Sequence, residues 1–166
     1  LSRGLGDVYK RQVPTTMRSI SVADTIDATP AAVWDVLADF PNISDWNGGV
    51  TASHATGDAT AGVGATRHCD LAPTGALEET VREWEPQRKL VVSIDEARRL
   101  PMRRALATFT LEPSGSSTSV TIDYEYEPRP RLVGPLLDRQ LAKGFRGFLR
   151  DLGDAAQHTD AGSEQT

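Results

Sequence analysis

The stretch Ser19–Trp46 constrains the fold more than any other part of this chain. Ser19-Ile20-Ser21-Val22-Ala23-Asp24-Thr25-Ile26 alternates apolar and polar residues, the period of a strand with one buried face. Asp27-Ala28-Thr29-Pro30 follows, a Thr cap with a Pro in the first turn of a helix. That helix ends before Pro41, and a second short helical turn carries Ile43 and Trp46. Beyond it lie only strand and turn signals, until one long amphipathic helix closes the chain. The order β-α-α-β-β-β-β-β-β-α predicts an α+β fold in which a single long helix covers a large curved antiparallel sheet. One helix cannot fill the concave face of such a sheet, so an internal cavity is expected.

The strands are marked by turn chemistry on either side. Asn47-Gly48-Gly49 turns into Val50–Ala55, and a loop rich in Gly, Ala and Thr leads to Ala65–Leu71. Pro73-Thr74-Gly75 and Pro86-Gln87-Arg88 bracket Leu77–Glu85. Leu90, Val92 and Ile94 share one face of the next strand, and Ala105, Ala107, Phe109 and Leu111 share one face of the strand after it. Pro113-Ser114-Gly115-Ser116 is a hairpin turn, after which Val120, Ile122, Tyr124 and Tyr126 align. Short connections imply antiparallel neighbours throughout. Pro135 opens the final helix, and Leu136, Leu137, Leu141, Phe145, Phe148, Leu149 and Leu152 form its apolar stripe. Gly144 and Gly147 interrupt it, either for close approach of helix to sheet or to leave room for a ligand.

The chain has 166 residues, enough for one domain with a core, at 39% apolar and 25% charged residues. Asp7-Val8-Tyr9-Lys10-Arg11-Gln12 resembles a sequencing adaptor translated in frame, and Met17 immediately precedes the first strand. Residues 1–16 are therefore expected to be a non-native leader, with a genuine leader as the alternative. Residues 17–157 are expected to form the domain and 158–166 a disordered tail. A net charge of −5 disfavours nucleic acid as the main partner. No apolar run reaches the length of a membrane span and no signal peptide is visible, so stable membrane insertion is not expected and a cytoplasmic location is. The single Cys69 excludes an internal disulfide. A monomer or weak dimer is expected.

Several short motifs carry a resemblance: Ile26-x-Ala28-x-Pro30-x-x-Val33-Trp34, Phe40-Pro41 with Trp46, Gly62-x-Gly64-Ala65-x-Arg67, Glu79-x-Val81-x-Glu83-Trp84-x-Pro86, and Phe109-Thr110-Leu111-Glu112-Pro113 with the terminal helix. From about Met17 to Ala156 the chain resembles the START-like, or SRPBCC, superfamily, and within it the polyketide cyclase/dehydrase-like branch. The resemblance implies a helix-grip fold with a hydrophobic ligand cavity between sheet and C-terminal helix. Members bind lipids, sterols, quinones, polyketides or hormones, and some are cyclases or hydrolases. Fold alone does not choose among these.

The chemistry-bearing residues narrow the choice. Ala65, Arg67, Cys69 and Leu71 share one face of their strand, while Thr66, His68 and Asp70 share the other. Leu77, Glu79, Val81 and Glu83 share a face of the next. If both apolar faces point inward, Arg67 and Glu79 lie near each other on the concave side. They form either a polar anchor for a ligand carbonyl or carboxylate, or a structural ion pair. Tyr124 and Tyr126 face inward, and their hydroxyls need partners in the core or on a ligand. Trp34 and Trp84 read as packing residues, and Trp46 as a cavity rim. The candidate ligand-binding set is Trp46, Arg67, Cys69, Glu79, Phe109, Tyr124, Tyr126, Leu141 and Phe145. No catalytic residue is assigned. His54 and His68 read as structural, and no metal or cofactor is expected: there is no ligand set at zinc spacing, and Gly62-x-Gly64 precedes a strand rather than a helix. Arg98, Arg99, Arg103 and Arg104 flank Leu100-Pro101-Met102 as a solvated hairpin tip or a contact for an anionic ligand or membrane surface.

The expected function is binding of a small hydrophobic ligand, lipid, polyketide or quinone-like. The first alternative is an aromatic polyketide cyclase/dehydrase in which Arg67, Glu79 and Tyr124 orient and polarise a poly-β-ketone. The second is a quinone-binding or ribosome-associated interaction module.

Overall fold

The computed structural model describes residues 17–163. The leader expected over residues 1–16 therefore lies outside the described residues. Strand β1, Arg18–Ile26, is followed by helix α1, Pro30–Ala38, and a 3-10 segment, Phe40–Asp45. Six strands come next: β2 Val50–Ala55, β3 Thr66–Leu71, β4 Ala76–Glu85, β5 Lys89–Arg98, β6 Met102–Ser114 and β7 Ser117–Pro128. A short 3-10 turn, Arg131–Val133, leads into helix α2, Gly134–Ser163. All seven strands form one sheet in the order β1-β7-β6-β5-β4-β3-β2, every pair antiparallel. The long meander places β3, the bearer of Arg67, one strand in from the edge.

Local chemistry sets the junctions. Thr29 caps α1 by accepting from the Ala32 amide at 3.2 Å, with Pro30 in the first turn where no amide is needed. Gly62 and Gly64 adopt φ of +81° and +89° to turn the chain into β3, a conformation that costs a side-chain-bearing residue dearly. Val33, Phe40, Val81, Leu111, Val120, Ile122, Leu149 and Leu152 are all but fully buried and belong to the core between α1, the sheet and the second half of α2, while the equally buried Tyr126 sits at the start of α2. Trp34 and Trp84 meet edge to face at 5.1 Å, as packing residues.

Three sequence expectations differ from the structure. Leu136 is 62% exposed, because the buried face of α2 runs through Leu137, Leu149, Leu152 and Ala156 and one residue turns 100° away from Leu137. Glu83 does not share the inner face with Glu79 and Val81: a register shift between Val81 and Glu83 turns it outward, where its carboxylate accepts from Lys89 Nζ at 2.6 Å. The tail expected from residue 158 is helical through Ser163. Asp160 accepts from the Thr29 amide at 3.0 Å and the Thr29 hydroxyl at 3.2 Å, which ties the helix end to the start of α1.

Helix α2 is also held at its beginning. Tyr126 Oη donates to Asp138 Oδ1 at 2.6 Å and lies 3.1 Å from the Gly134 carbonyl, and Arg18 forms an ion pair with Asp138. A Cβ on Gly134 would stand 2.6 Å from Arg18 Cδ, so this close approach favours glycine. Among the described residues no helix is long and apolar enough to cross a membrane.

Candidate functional site

Pinned at its ends, α2 leaves a cavity of about 410 Å³ beneath its first half. Its floor is the concave side of β3 to β7: Arg67, Cys69, Leu71, Leu77, Glu79, Ile94, Ala107, Phe109 and Tyr124. Its roof is Leu137, Gln140, Leu141, Gly144, Phe145 and Phe148 of α2, and the β5–β6 tip contributes Leu100, Pro101 and Met102. A cavity of this size and apolar character suits a small organic molecule. Gly144 is exposed, and a Cβ there would meet nothing within 4 Å, so close approach of helix to sheet does not require this glycine.

Polar groups concentrate on the β3–β4 part of the floor. Arg67 and Glu79 are direct cross-strand partners, each only 8% exposed. The register shift between Glu78 and Glu79 opposite β5 accompanies this inward carboxylate. Arg67 Nε donates to Glu79 Oε2 at 2.6 Å, Arg67 Nη1 donates to the Phe40 carbonyl at 2.7 Å, and the guanidinium carbon stands 4.0 Å from the Phe40 ring centroid. The pair is therefore oriented by the segment that follows α1. Cys69 Sγ donates to the same Glu79 Oε2 at 3.4 Å. Burial, followed by the nearby Glu79 carboxylate, pushes the Cys69 thiol up to about 12. Tyr124 Oη donates to the Met102 thioether at 3.4 Å, and burial raises its pKa as well. Both groups are neutral at physiological pH and serve as donors, not bases.

Of the residues singled out in the sequence, Arg67, Cys69, Glu79, Phe109, Tyr124, Leu141 and Phe145 line this one cavity. Trp46 and Tyr126 do not. Trp46 packs edge to face on Phe148 at 5.1 Å and borders a separate hollow of about 10 Å³, one ring removed from the cavity wall. Tyr126 spends its hydroxyl on Asp138, because β7 carries it past the cavity to the start of α2. The roof residues Leu137 and Phe148 and the tip residues Leu100 to Met102 were not singled out for the site. Helical spacing marked the first two as apolar stripe, but no signal showed how far the tip reaches over the cavity. Of the tip arginines, Arg98 pairs with Glu96 at 3.0 Å, and Arg103 and Arg104 approach Glu127 at 4.0 and 3.1 Å. His68 lies on the opposite face of β3, its two ring nitrogens 2.5 Å from Glu78 and 3.1 Å from Asp70, with His54 stacked 5.2 Å away. No group of three or more potential metal ligands occurs among the described residues.

A curved antiparallel sheet, one long covering helix and an apolar cavity between them define a START-like, SRPBCC-type helix-grip protein. The chain belongs to the family described as polyketide cyclase / dehydrase and lipid transport, whose model matches residues 17–157. Among solved structures it is similar to protein MLL2253 from Mesorhizobium loti, with 23% identity, a TM-score of 0.67, and coverage of 86% of this chain and 98% of that one. It is also similar to a START superfamily protein from Mycobacterium smegmatis, with 14% identity, a TM-score of 0.74, and coverage of 85% and 98%. A third similar structure is the Zhui aromatase/cyclase from Streptomyces sp. R1128, with 12% identity, a TM-score of 0.71, and coverage of 85% and 94%. At these identities the likeness is one of fold. No curated protein matches the sequence.

Proposed function

We propose that this protein binds one small hydrophobic ligand per chain in the cavity between the sheet and α2, as a carrier or sensor. The observation that carries the reading is the cavity of about 410 Å³, walled mostly by apolar side chains, with its charged groups gathered at Arg67 and Glu79 beside Cys69 and with Asn47, Tyr124 and Gln140 as further polar groups on the wall. Such a site buries a ligand's apolar body and fixes its direction through a few polar contacts. The family's lipid-transport members support this reading, and the chemistry of the wall favours it over ring closure of a poly-β-ketone. General acid–base work needs groups that exchange protons near neutral pH. Here the thiol and the phenol are held protonated, and no histidine lines the cavity.

The test is titration with the uncharged dye N-phenyl-1-naphthylamine, whose emission rises in apolar surroundings. We expect saturable binding at one site per chain, reduced by Leu141→Trp, which fills the roof. Absence of dye binding, together with no co-purified ligand in native mass spectrometry, would sink the carrier reading.

A further inference from the structure

We infer that the cavity selects a ligand whose inner end is uncharged and both donates and accepts a hydrogen bond, and that Glu79 is the residue that rejects carboxylates. This rests on the ligand-binding reading above and specifies the chemical class that the site takes.

The argument follows from the hydrogen bonds of the Arg67–Glu79 pair. A guanidinium has five N–H donors and a carboxylate two accepting oxygens. Arg67 spends Nε on Glu79 Oε2 and one Nη1 hydrogen on the Phe40 carbonyl. Glu79 Oε2 takes both the Arg67 and the Cys69 hydrogen bonds. Among the described residues, Arg67 Nη2 has no acceptor and Glu79 Oε1 has no donor, and both residues line the cavity. The wall thus offers an unspent donor beside an unspent acceptor. Neither atom is among the fully buried unpartnered ones, so both are reachable from open space, and hydrogen bonds to charged groups such as these are stronger than those between neutral groups.

Charge then divides the candidates. The ionisable side chains lining the cavity are Arg67, Glu79, Cys69 and Tyr124, and the last two are held neutral by burial. The one cation is already matched by the one anion at 2.6 Å. A carboxylate entering this site is stripped of water and meets Arg67 and Glu79 together, so attraction to one is cancelled by repulsion from the other. An ammonium meets the reverse balance. An enolised or hydroxylated ketone, a phenol or a primary amide carries no charge to desolvate. Each can accept from Arg67 Nη2 while donating to Glu79 Oε1. An unpaired arginine in the same place would make a carboxylate site, so Glu79 sets the sign of the selection.

The experiment uses the full chain and four probes on one skeleton: 2-naphthamide, 2-naphthoate, 2-naphthylmethylammonium and 2-methylnaphthalene. Each competes with N-phenyl-1-naphthylamine at neutral pH. The amide is expected to bind at least tenfold tighter than the carboxylate, the ammonium and the methyl compound. Glu79→Gln is expected to raise naphthoate affinity at least tenfold and leave 2-methylnaphthalene unchanged. Should Glu79→Gln fail to fold, the four probes on the unaltered protein decide alone. Equal binding of amide and carboxylate overturns the inference while leaving the carrier reading standing. So does a methyl compound that binds as tightly as the amide. If neither the dye nor any probe binds, the carrier reading itself falls, and this inference falls with it.

Discussion

Cys69 Sγ lies 3.4 Å from Glu79 Oε2, the same oxygen that accepts the Arg67 Nε hydrogen bond. The thiol is 1% exposed and its pKa is pushed up to about 12, first by burial and then by the Glu79 carboxylate. Only the thiolate is a good nucleophile. Native protein should therefore resist iodoacetamide at pH about 8, where an ordinary exposed thiol is substantially ionised, and should label fully in denaturant. Rapid labelling of the folded protein would show that the thiol is accessible and ionised.

Arg67 and Glu79 should be strongly coupled. Arg67→Leu strands a buried carboxylate and should cost about 3–5 kcal/mol in urea unfolding. Adding Glu79→Leu should recover part of that loss, giving a clear interaction energy in the double-mutant cycle. Additive effects of the two changes would mean that the 2.6 Å contact contributes no coupling.

The two halves of α2 should separate stability from binding. Leu152 is fully buried beyond the cavity, so Leu152→Ala should cost about 2–5 kcal/mol. Phe145 is half-buried, lies 4.8 Å from the Tyr124 ring, and lines the cavity. Phe145→Ala should cost less than the roughly 3–5 kcal/mol of a fully packed ring and should weaken dye binding more than Leu152→Ala does. The opposite ranking in either measurement would place the cavity elsewhere along the helix.

His68 should contribute a pH-dependent stability. Its hydrogen bond to Glu78, and then that to Asp70, raise its pKa above the ordinary histidine value. A raised folded pKa stabilises the protonated state. The contribution is fully present below about pH 6.5, and it is lost as pH rises through the raised value. Urea midpoints from about pH 6 to about pH 9 should therefore fall more steeply for the wild type than for His68→Gln. Parallel profiles would show that the carboxylates do not hold the proton on the ring.

Much of this was legible in the sequence, for a physical reason. Alternation along β3 put Arg67 and Cys69 on the apolar face, and the apolar spacing of α2 marked Phe145 and Leu141, because each depends only on the period of its own element. The failures all involve relationships between elements. Glu83 leaves the inner face at a register shift against β5, and no residue in β4 announces that shift. Tyr126 turns to Asp138, which lies twelve residues on, in the next helix. The helix beyond His158 is held by Thr29, more than a hundred residues earlier. The hydrogen bond from Arg67 to the Phe40 carbonyl is visible only once β3 and the 3-10 segment after α1 are brought together.

The polar ties of α2 have a mechanical consequence. Arg18 and Tyr126 hold Asp138 at one end, Thr29 holds Asp160 at the other, and the Gly48 amide reaches Asp151 at 3.0 Å. Between Asp138 and Asp151 lies the span above the cavity, which includes Gly144. The helix is thus a beam on fixed supports, tied by polar contacts at Asp138, Asp151 and Asp160 and touching the sheet between the first two through the Phe145–Tyr124 and Phe148–Phe109 ring contacts. On the proposed reading, a guest seated in the cavity meets a roof whose position is fixed by polar ties at Asp138 and Asp151.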